Sequence, residues 1–317
     1  MRAPGLVAGI TVLTLAMAAP FGLIVGLQIQ ESLATQPPID LGSSEIDGEW
    51  WMEFREHASG LAATFTPTII GFAAPLDNLS SLLDGSPRPL ILVIPVAAFG
   101  LLWALLWGGL LHRFQAGRRV GLRPFWTAAW RAFPTNVAIG AIAALVNLLL
   151  FLTVHAVLFG PVYGALAARA ATERDAFFER VLLYVLFGSL IATVSLIADY
   201  ARVHVACAGL RSARQAVIAS ARFVRRHALA VLTLYLLTGA VFVTLVAGYG
   251  IIEMVGATRV AGWRGVALGQ AYIIGRLALR LTFGASEVRL FERSAGIDRP
   301  AEARTAAGNV SAAGAAR

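Results

Sequence analysis

The chain has 317 residues, of which 58% are hydrophobic and only 14% are charged, and its mean hydropathy is +0.72. About a quarter of the residues of a soluble domain are charged, so this composition excludes an ordinary soluble protein and predicts a membrane protein. The net charge of +8 reflects an excess of arginine, since lysine is absent. The arginines cluster in short loops beside apolar segments, so we expect contacts with anionic membrane lipids and no nucleic-acid partner.

Six apolar segments could form membrane-spanning helices. They cover residues 5–28, 89–111, 136–158, 181–197, 228–251 and 266–283. A helix of about 20 apolar residues crosses the hydrocarbon core of a bilayer. The first segment continues past the small residues at 16–18 that could mark a signal-peptide cleavage site, so we predict an uncleaved anchor. The sequence therefore predicts an all-α, polytopic membrane protein with six transmembrane helices.

The loops between these segments alternate in charge. Residues 29–88 carry nine carboxylates and two arginines, whereas residues 112–133 and 201–228 carry five and six arginines and no acidic residue. Short arginine-rich loops stay on the cytoplasmic side of a membrane during insertion. We therefore predict a multi-pass protein of the bacterial inner membrane, with both termini and both basic loops in the cytoplasm and the acidic segment outside.

Both basic loops are predicted to form amphipathic helices that lie in the plane of the membrane. In the second loop, apolar residues recur at steps of three and four from Leu210 to Ala228, and arginines occupy another face. The first loop is shorter and aromatic, with Pro124 at a helix start and Phe133 near its end. The predicted fold thus adds two cytoplasmic in-plane helices to the six spans.

Four regions follow from these patterns: an anchor (1–28), an acidic external segment with interfacial or re-entrant helices (29–88), a membrane core (89–295) and a disordered cytoplasmic tail (296–317). The core is predicted to contain a tandem repeat of residues 89–158 and 180–251. Gly121-Leu122-Arg123 matches Gly209-Leu210-Arg211, and Arg131 matches Arg222. Parallel repeats occur in transporters, although two basic, alanine-rich loops could also align this well by composition alone.

One stretch carries a family resemblance. Residues 209–237 read as a small residue, Leu and Arg, then an alanine-rich amphipathic helix, Phe-Val-Arg-Arg-His and an apolar span. This pattern resembles uncharacterised six-helix bacterial integral membrane proteins, and it is similar to the membrane domain associated with glycerophosphodiester phosphodiesterases. The resemblance covers about residues 89–293. It implies a membrane domain only, and no catalytic residues can be assigned from it.

Two arginines lie inside the last predicted span. A charge at bilayer depth costs at least about 2.5 kcal/mol and points to function. Arg280 is close enough to the cytoplasmic end to snorkel, whereas Arg276 is deeper and is predicted to pair with Asp199, with a bound anion or with exposed carbonyl groups. The predicted lipid- or anion-binding residues are therefore Arg211, Arg214, Arg222, Arg225, Arg226, Arg276 and Arg280.

The external segment offers a possible metal site. Glu49, Glu53 and His57 share one face of a predicted helix, and a carboxylate and an imidazole one turn apart can bind a metal. The sequence lacks a His-Glu-x-x-His motif and a second histidine nearby. An interfacial helix, with Trp50 and Phe54 at the headgroup level, explains the same segment.

The motif content predicts that the protein is not an enzyme and needs no cofactor. The sequence lacks the phosphate-binding Gly-x-x-x-x-Gly-Lys motif and the Gly-x-Ser-x-Gly nucleophile motif, and Cys207 is the only cysteine. The leading hypothesis is a non-enzymatic protein that binds anionic lipid or acts as the membrane subunit of an assembly with partner proteins. A transporter or permease component with a pathway near Arg276 is the main alternative. A metal-dependent external site at Glu49, Glu53 and His57 is the second alternative.

Overall fold

The computed structural model describes residues 4–34, 48–65, 79–86, 89–117, 120–254 and 263–296. Most of these residues are helical and none lies in a β-strand, which confirms the all-α class. The α-helices are α1 (Pro4–Ala34), α2 (Gly48–His57), α3 (Val93–Ala116), α4 (Leu122–Leu150), α5 (Tyr163–Ala167), α6 (Glu173–Cys207), α7 (Ala213–Arg226), α8 (Ala228–Met254) and α9 (Trp263–Ser294). Residues 79–83, before α3, are also helical.

Within the described residues, five helical stretches are long and apolar enough to cross a membrane. They are Gly5–Ala34, Leu90–Ala116, Leu122–Ala167, Glu173–Cys207 and Ala228–Ile252. The structure is therefore compatible with a multi-pass membrane protein. The sixth predicted span, 266–283, falls within α9, where two arginines reduce its apolar character, and its passage through a membrane stays a prediction.

The first basic loop does not form a separate helix: residues 124–133 are helical, as predicted, but the prediction that they form a helix of their own is wrong, and their orientation relative to the membrane plane stays a prediction. These residues belong to α4, which continues past Pro134 and through two π-helical turns to α5. The rod Leu122–Ala167 has 46 residues, which is about 69 Å at 1.5 Å per residue. Part of it must lie outside a hydrocarbon core of about 30 Å. Packing of Phe125 and Ala129 against α3 holds the first turns of α4 in line with the rest.

The second basic loop contains a helix of its own, α7. The Ser212 hydroxyl accepts a hydrogen bond from the backbone N–H of Gln215 (3.5 Å) at its start. Ala216 and Ser220 are fully buried, and the Ser220 hydroxyl donates to the Ile197 carbonyl of α6 (2.7 Å). Arginines occupy the exposed side of this helix. Its orientation relative to the membrane plane stays a prediction.

The two halves of the predicted repeat have the same order of elements, but a helix is interrupted in only one of them. Each has a long helix, a basic loop and a returning helix: α3 and α4 in the first half, α6 to α8 in the second. In the second half the helix is interrupted at His227, whereas α4 has no such interruption. The repeat therefore stays a prediction.

The packed core lies toward one end of the helix bundle. We call this end the basic end, because residues 112–117 and 120–123 meet residues 207–213 there. On α3, Val93 and Val96 are exposed, whereas Leu106 and Leu110 are completely buried. The helices thus present apolar surface at the far end, as expected for contact with lipid, and a well-packed interior at the basic end.

Helix α2 of the acidic segment packs on the end of α1. Its Trp50 indole N–H donates a hydrogen bond to the Ser32 hydroxyl (3.1 Å), and Phe54 and Ala62 are buried beside Ile29. Most of the predicted re-entrant region lies outside the described residues, at 66–78, and so does most of the predicted tail, at 297–317.

A polar contact fixes the chain just before α3. The Asp84 carboxylate accepts hydrogen bonds from the Tyr184 hydroxyl and from Arg180 (3.2 Å), both on α6, and from Ser80 (3.2 Å). The hydrogen bond from Tyr184 is the main reason why the pKa of Asp84 lies below its ordinary value of 3.8. Burial is the second-largest effect and raises the pKa of Asp84, whereas Ser80 and Arg180 each lower it further.

We expect this contact to weaken in acid. Because the pKa of Asp84 is lower in the folded protein, its stabilising contribution is complete above about pH 4 and is lost as the pH falls through the folded-state pKa. Asp84→Asn should lower the free energy of unfolding at pH 7 by less than about 1 kcal/mol, since the pair is partly exposed. The difference in the free energy of unfolding between wild type and Asp84→Asn is measured at pH 7 and at pH 3. An equal difference at both pH values would contradict the assignment.

Candidate functional site

A cleft of about 520 Å³ opens between α8 on one side and α1 and α3 on the other, with α9 as its floor. Its volume falls within the range of about 300–1,000 Å³ that is typical of small-molecule sites. Its lining is mostly aromatic and aliphatic, with two threonines and two arginines. The lining residues are Thr14, Phe99, Trp103, Tyr235, Thr238, Gly239, Phe242, Ile273, Arg276, Leu277, Leu279, Arg280 and Phe283.

The cleft lies at the middle of the apolar helices. Thr14, Thr238 and Trp103 each lie about ten residues from an end of their helix, which is about 15 Å. These helices include three of the stretches that could cross a membrane. The two arginines of α9 therefore face a space at the depth of the apolar stretches.

Both arginines contact aromatic rings. The guanidinium carbon of Arg280 is 3.6 Å from the ring centroid of Trp103, and that of Arg276 is 5.6 Å from Tyr272 and 5.8 Å from Phe242. A cation over an aromatic face is stabilised by about 2 kcal/mol when water is excluded. The rings thus offset part of the cost of placing charge here, but they accept none of the guanidinium hydrogen bonds.

The predicted pairing of Arg276 with Asp199 is not observed. The Asp199 carboxylate instead accepts a hydrogen bond from Arg202, one turn further along α6, at 2.6 Å. Within the described residues, no carboxylate oxygen lies within 4.0 Å of Arg276 or Arg280, although Asp199 interacts favourably with Arg280 from farther away. Arg202 is closer in sequence and shares a helix face with Asp199, so it competes successfully for the carboxylate.

Both arginine residues keep exposed surface in the cleft. Arg276 and Arg280 are exposed on the cleft wall, while Trp103 beside them is 5% exposed and its indole N–H has no partner among the described residues. Arginine presents several N–H donors and is charged at any physiological pH. The cleft can therefore accept an anionic group at the arginines and an apolar group along its aromatic walls.

The structure divides the seven predicted anion-binding arginines among three places. Arg276 and Arg280 line the cleft. Arg211 lies before α7 and lines a different cavity, between α3, α4 and α6. The other four, Arg214, Arg222, Arg225 and Arg226, lie on the exposed side of α7.

The proposed metal ligands lie on the exposed side of α2. Glu49, Glu53 and His57 are all exposed, and the His57 ring is hydrogen-bonded to the Glu53 carbonyl (2.9 Å). Among the residues that the structure describes, no group of three or more His, Cys, Asp or Glu side chains could hold a metal ion.

Sequence reasoning missed the aromatic residues that face the arginines. Trp103 lies on α3 and Phe242 on α8, and each has the sequence pattern of an ordinary apolar residue of its span. Their role depends on how the helices pack, which periodicity alone does not give.

No protein-family model matches this chain, and neither curated proteins nor solved structures provide a match.

Proposed function

We propose that the protein is a non-enzymatic membrane protein that binds an anionic amphiphile, such as an anionic phospholipid, in the cleft between α1, α3, α8 and α9. The observation that carries this proposal is the pair of accessible arginines in an aromatic cleft without an ion-paired carboxylate nearby. A lipid phosphate would supply the missing counter-charge, and an acyl chain would fit the apolar walls.

Charge energetics support this assignment. An arginine at bilayer depth costs at least about 2.5 kcal/mol, and most such residues pair with another group or line a cavity. Arg276 and Arg280 line a cavity and contact rings, yet their N–H donors have no acceptor among the described residues. An anion that bound there would form charge-assisted hydrogen bonds, which are the stronger kind.

The exposed arginines of α7 fit the same function. We place both basic loops on the cytoplasmic side of a bacterial inner membrane, with the termini, so that Arg214, Arg222, Arg225 and Arg226 meet the headgroups of the inner leaflet. Membrane lipids would be the main partners, and a subunit role within an assembly is consistent with this arrangement. The resemblance to phosphodiesterase-associated membrane domains leads to the same proposal of a lipid-related role.

The double substitution Arg276→Gln and Arg280→Gln tests the proposal. Each lost charge-assisted hydrogen bond contributes about 1.5–3 kcal/mol, so we expect the affinity for phosphatidylglycerol to fall by at least about tenfold. Native mass spectrometry of the full chain, delipidated and then titrated with phosphatidylglycerol or phosphatidylcholine, measures this affinity.

The matched control is Arg289→Gln with Arg293→Gln, which removes the same charge from exposed positions of α9 outside the cleft. Its affinity should stay within about twofold of wild type. Equal losses in the two double variants would mean that phosphatidylglycerol responds to net charge only, and the cleft would not be its site.

A transporter or permease component is the second candidate, favoured by a cavity that reaches Arg276. A transport pathway has to be reached by water, whereas a lipid site opens toward the bilayer. We therefore suggest Thr238→Cys in a Cys207→Ala background, labelled with a membrane-impermeant thiol reagent from each side. Labelling from both sides would support transport, and no labelling from either side would support the lipid site.

A further inference from the structure

A second cavity, of about 500 Å³, lies at the basic end and shares no lining residue with the cleft. It is lined by the end of α3, the first turns of α4, the end of α6 and the loop before α7, and it is open on one side. We call it the basic pocket. Its polar lining consists of His112, Arg123, Thr127, Arg131, Thr135 and Arg211.

The basic pocket collects arginines from both basic loops. Arg123 and Arg131 lie eight residues apart on α4, and Arg211 comes from the loop between α6 and α7. Residues four apart share a helix face, so Arg123, Thr127, Arg131 and Thr135 form one stripe along α4 that faces the pocket. Tertiary packing therefore brings three arginines that are up to 88 positions apart in the sequence to the same cavity.

A specific contact holds the third arginine in place. The Thr135 hydroxyl donates a hydrogen bond to the Arg211 carbonyl (3.1 Å), which ties the loop before α7 to α4. Several other lining residues are small, such as Ala132 and Gly209, and leave space beside the arginines. Thr135 is thus a positioning residue for Arg211.

The charges of the basic pocket are all of one sign. Among the described residues that line it there is no carboxylate, and its three arginines and His112 can all donate hydrogen bonds. Like charges brought together raise the free energy of the folded protein unless an anion screens them. Arginine forks match the oxygen geometry of phosphate, and several arginines around one cavity are typical of phosphate recognition.

We propose that the basic pocket binds a phosphate group, held by Arg123, Arg131 and Arg211. The phosphate belongs either to a soluble phosphate compound or to the headgroup of an anionic lipid, and the chemistry of recognition is the same. This site is separate from the cleft at Arg276, so the protein has two anion sites at different levels of the bundle.

Two arms of one experiment distinguish the sources. In the first, the full chain in phosphatidylcholine nanodiscs is titrated with radiolabelled pyrophosphate. In the second, phosphatidic acid is added to the nanodiscs without pyrophosphate, and the lipid bound to the protein is measured by native mass spectrometry. Each arm compares wild type with Arg131→Gln/Arg211→Gln, and with Arg289→Gln/Arg293→Gln as the matched control at exposed positions of α9 outside both cavities.

We expect the pocket variant to weaken binding by at least about tenfold in one arm, while the control stays within about twofold of wild type. A loss confined to pyrophosphate identifies a soluble ligand, and a loss confined to phosphatidic acid identifies a lipid headgroup. Unchanged binding in both arms, or an equal loss in the pocket variant and the control, would overturn the proposal. If the double variant unfolds, Arg131→Gln alone replaces it, since this side chain is exposed.

The result is independent of the cleft. Arg276→Gln/Arg280→Gln leaves the basic pocket intact and should bind pyrophosphate as wild type does. A protein that loses phosphatidylglycerol in the cleft variant and keeps pyrophosphate binding would establish two sites.

Discussion

Gly108→Val should lower the free energy of unfolding by about 3 kcal/mol, the upper part of the usual range for overpacking. A Cβ atom at Gly108 would lie 2.9 Å from the Ala132 Cβ, 3.0 Å from the Ala128 carbonyl oxygen and 3.0 Å from the Ala129 Cα. Two of these are backbone atoms, which cannot rotate out of the way. Helices α3 and α4 would have to separate, and the basic pocket between them would change shape.

Gly100→Val is the matched control, because it makes the same change on the same helix at a position where no described atom beyond the nearby backbone of α3 lies within 4 Å of the new Cβ. It should change the unfolding free energy by less than about 0.5 kcal/mol. The free energy of unfolding of both variants is measured in detergent, with circular dichroism to monitor the loss of helix. A Gly108→Val protein as stable as Gly100→Val would show that α3 and α4 do not approach this closely.

Trp107→Ala should lower the free energy of unfolding by about 3–5 kcal/mol, which is typical of removing a buried tryptophan side chain. The Trp107 side chain is 7% exposed, and it fills the space above Gly284 of α9, where a Cβ atom would lie 2.6 Å from the ring. Its ring also lies 5.8 Å from that of Trp103, the residue on which Arg280 stacks. The substitution should therefore loosen the wall of the cleft as well as the core.

Trp130→Ala serves as the control, since it deletes the same side chain at a position that is 60% exposed. This substitution should lower the free energy of unfolding by less than about 1 kcal/mol, provided that both proteins are measured in the same detergent or lipid. The same unfolding measurement applies, together with phosphatidylglycerol binding, which should fall in Trp107→Ala only. Equal stability losses for the two tryptophans would contradict the packing of α3 on α9.

The arginines of this chain differ in what surrounds them, and that difference separates their proposed roles. Those on α7 are exposed and fit headgroup contacts at a membrane surface. Those in the cleft lie on aromatic rings at the depth of the apolar helices. Those in the basic pocket surround a cavity in which no described carboxylate takes part. The arginines that give the chain its net charge of +8 thus lie in three different chemical environments.

The helical class and most of the spans could be predicted from the amino-acid sequence, because long apolar runs have one stable form in a bilayer. Backbone groups cannot bond to water there, so a helix satisfies them within the segment itself. The same reasoning found Arg276 and Arg280, because a charge inside an apolar run is costly wherever the helix packs. It also predicted that 213–226 is helical, since apolar steps of three and four depend only on the local sequence.

Tertiary structure decided which residues meet. Pro124 at a helix start and the aromatic pattern at 124–133 predicted a separate helix, but α4 is continuous through these residues, and it contacts α3 at Gly108 and Gly109. The partner of Asp199 proved to be Arg202, and the cleft arginines met aromatic rings from other helices. The basic pocket unites two loops that the sequence showed only as separate runs of arginine. Local sequence fixes the backbone of a helix, but the neighbours of its side chains depend on long-range packing, in which a single glycine or tryptophan sets how closely two helices approach.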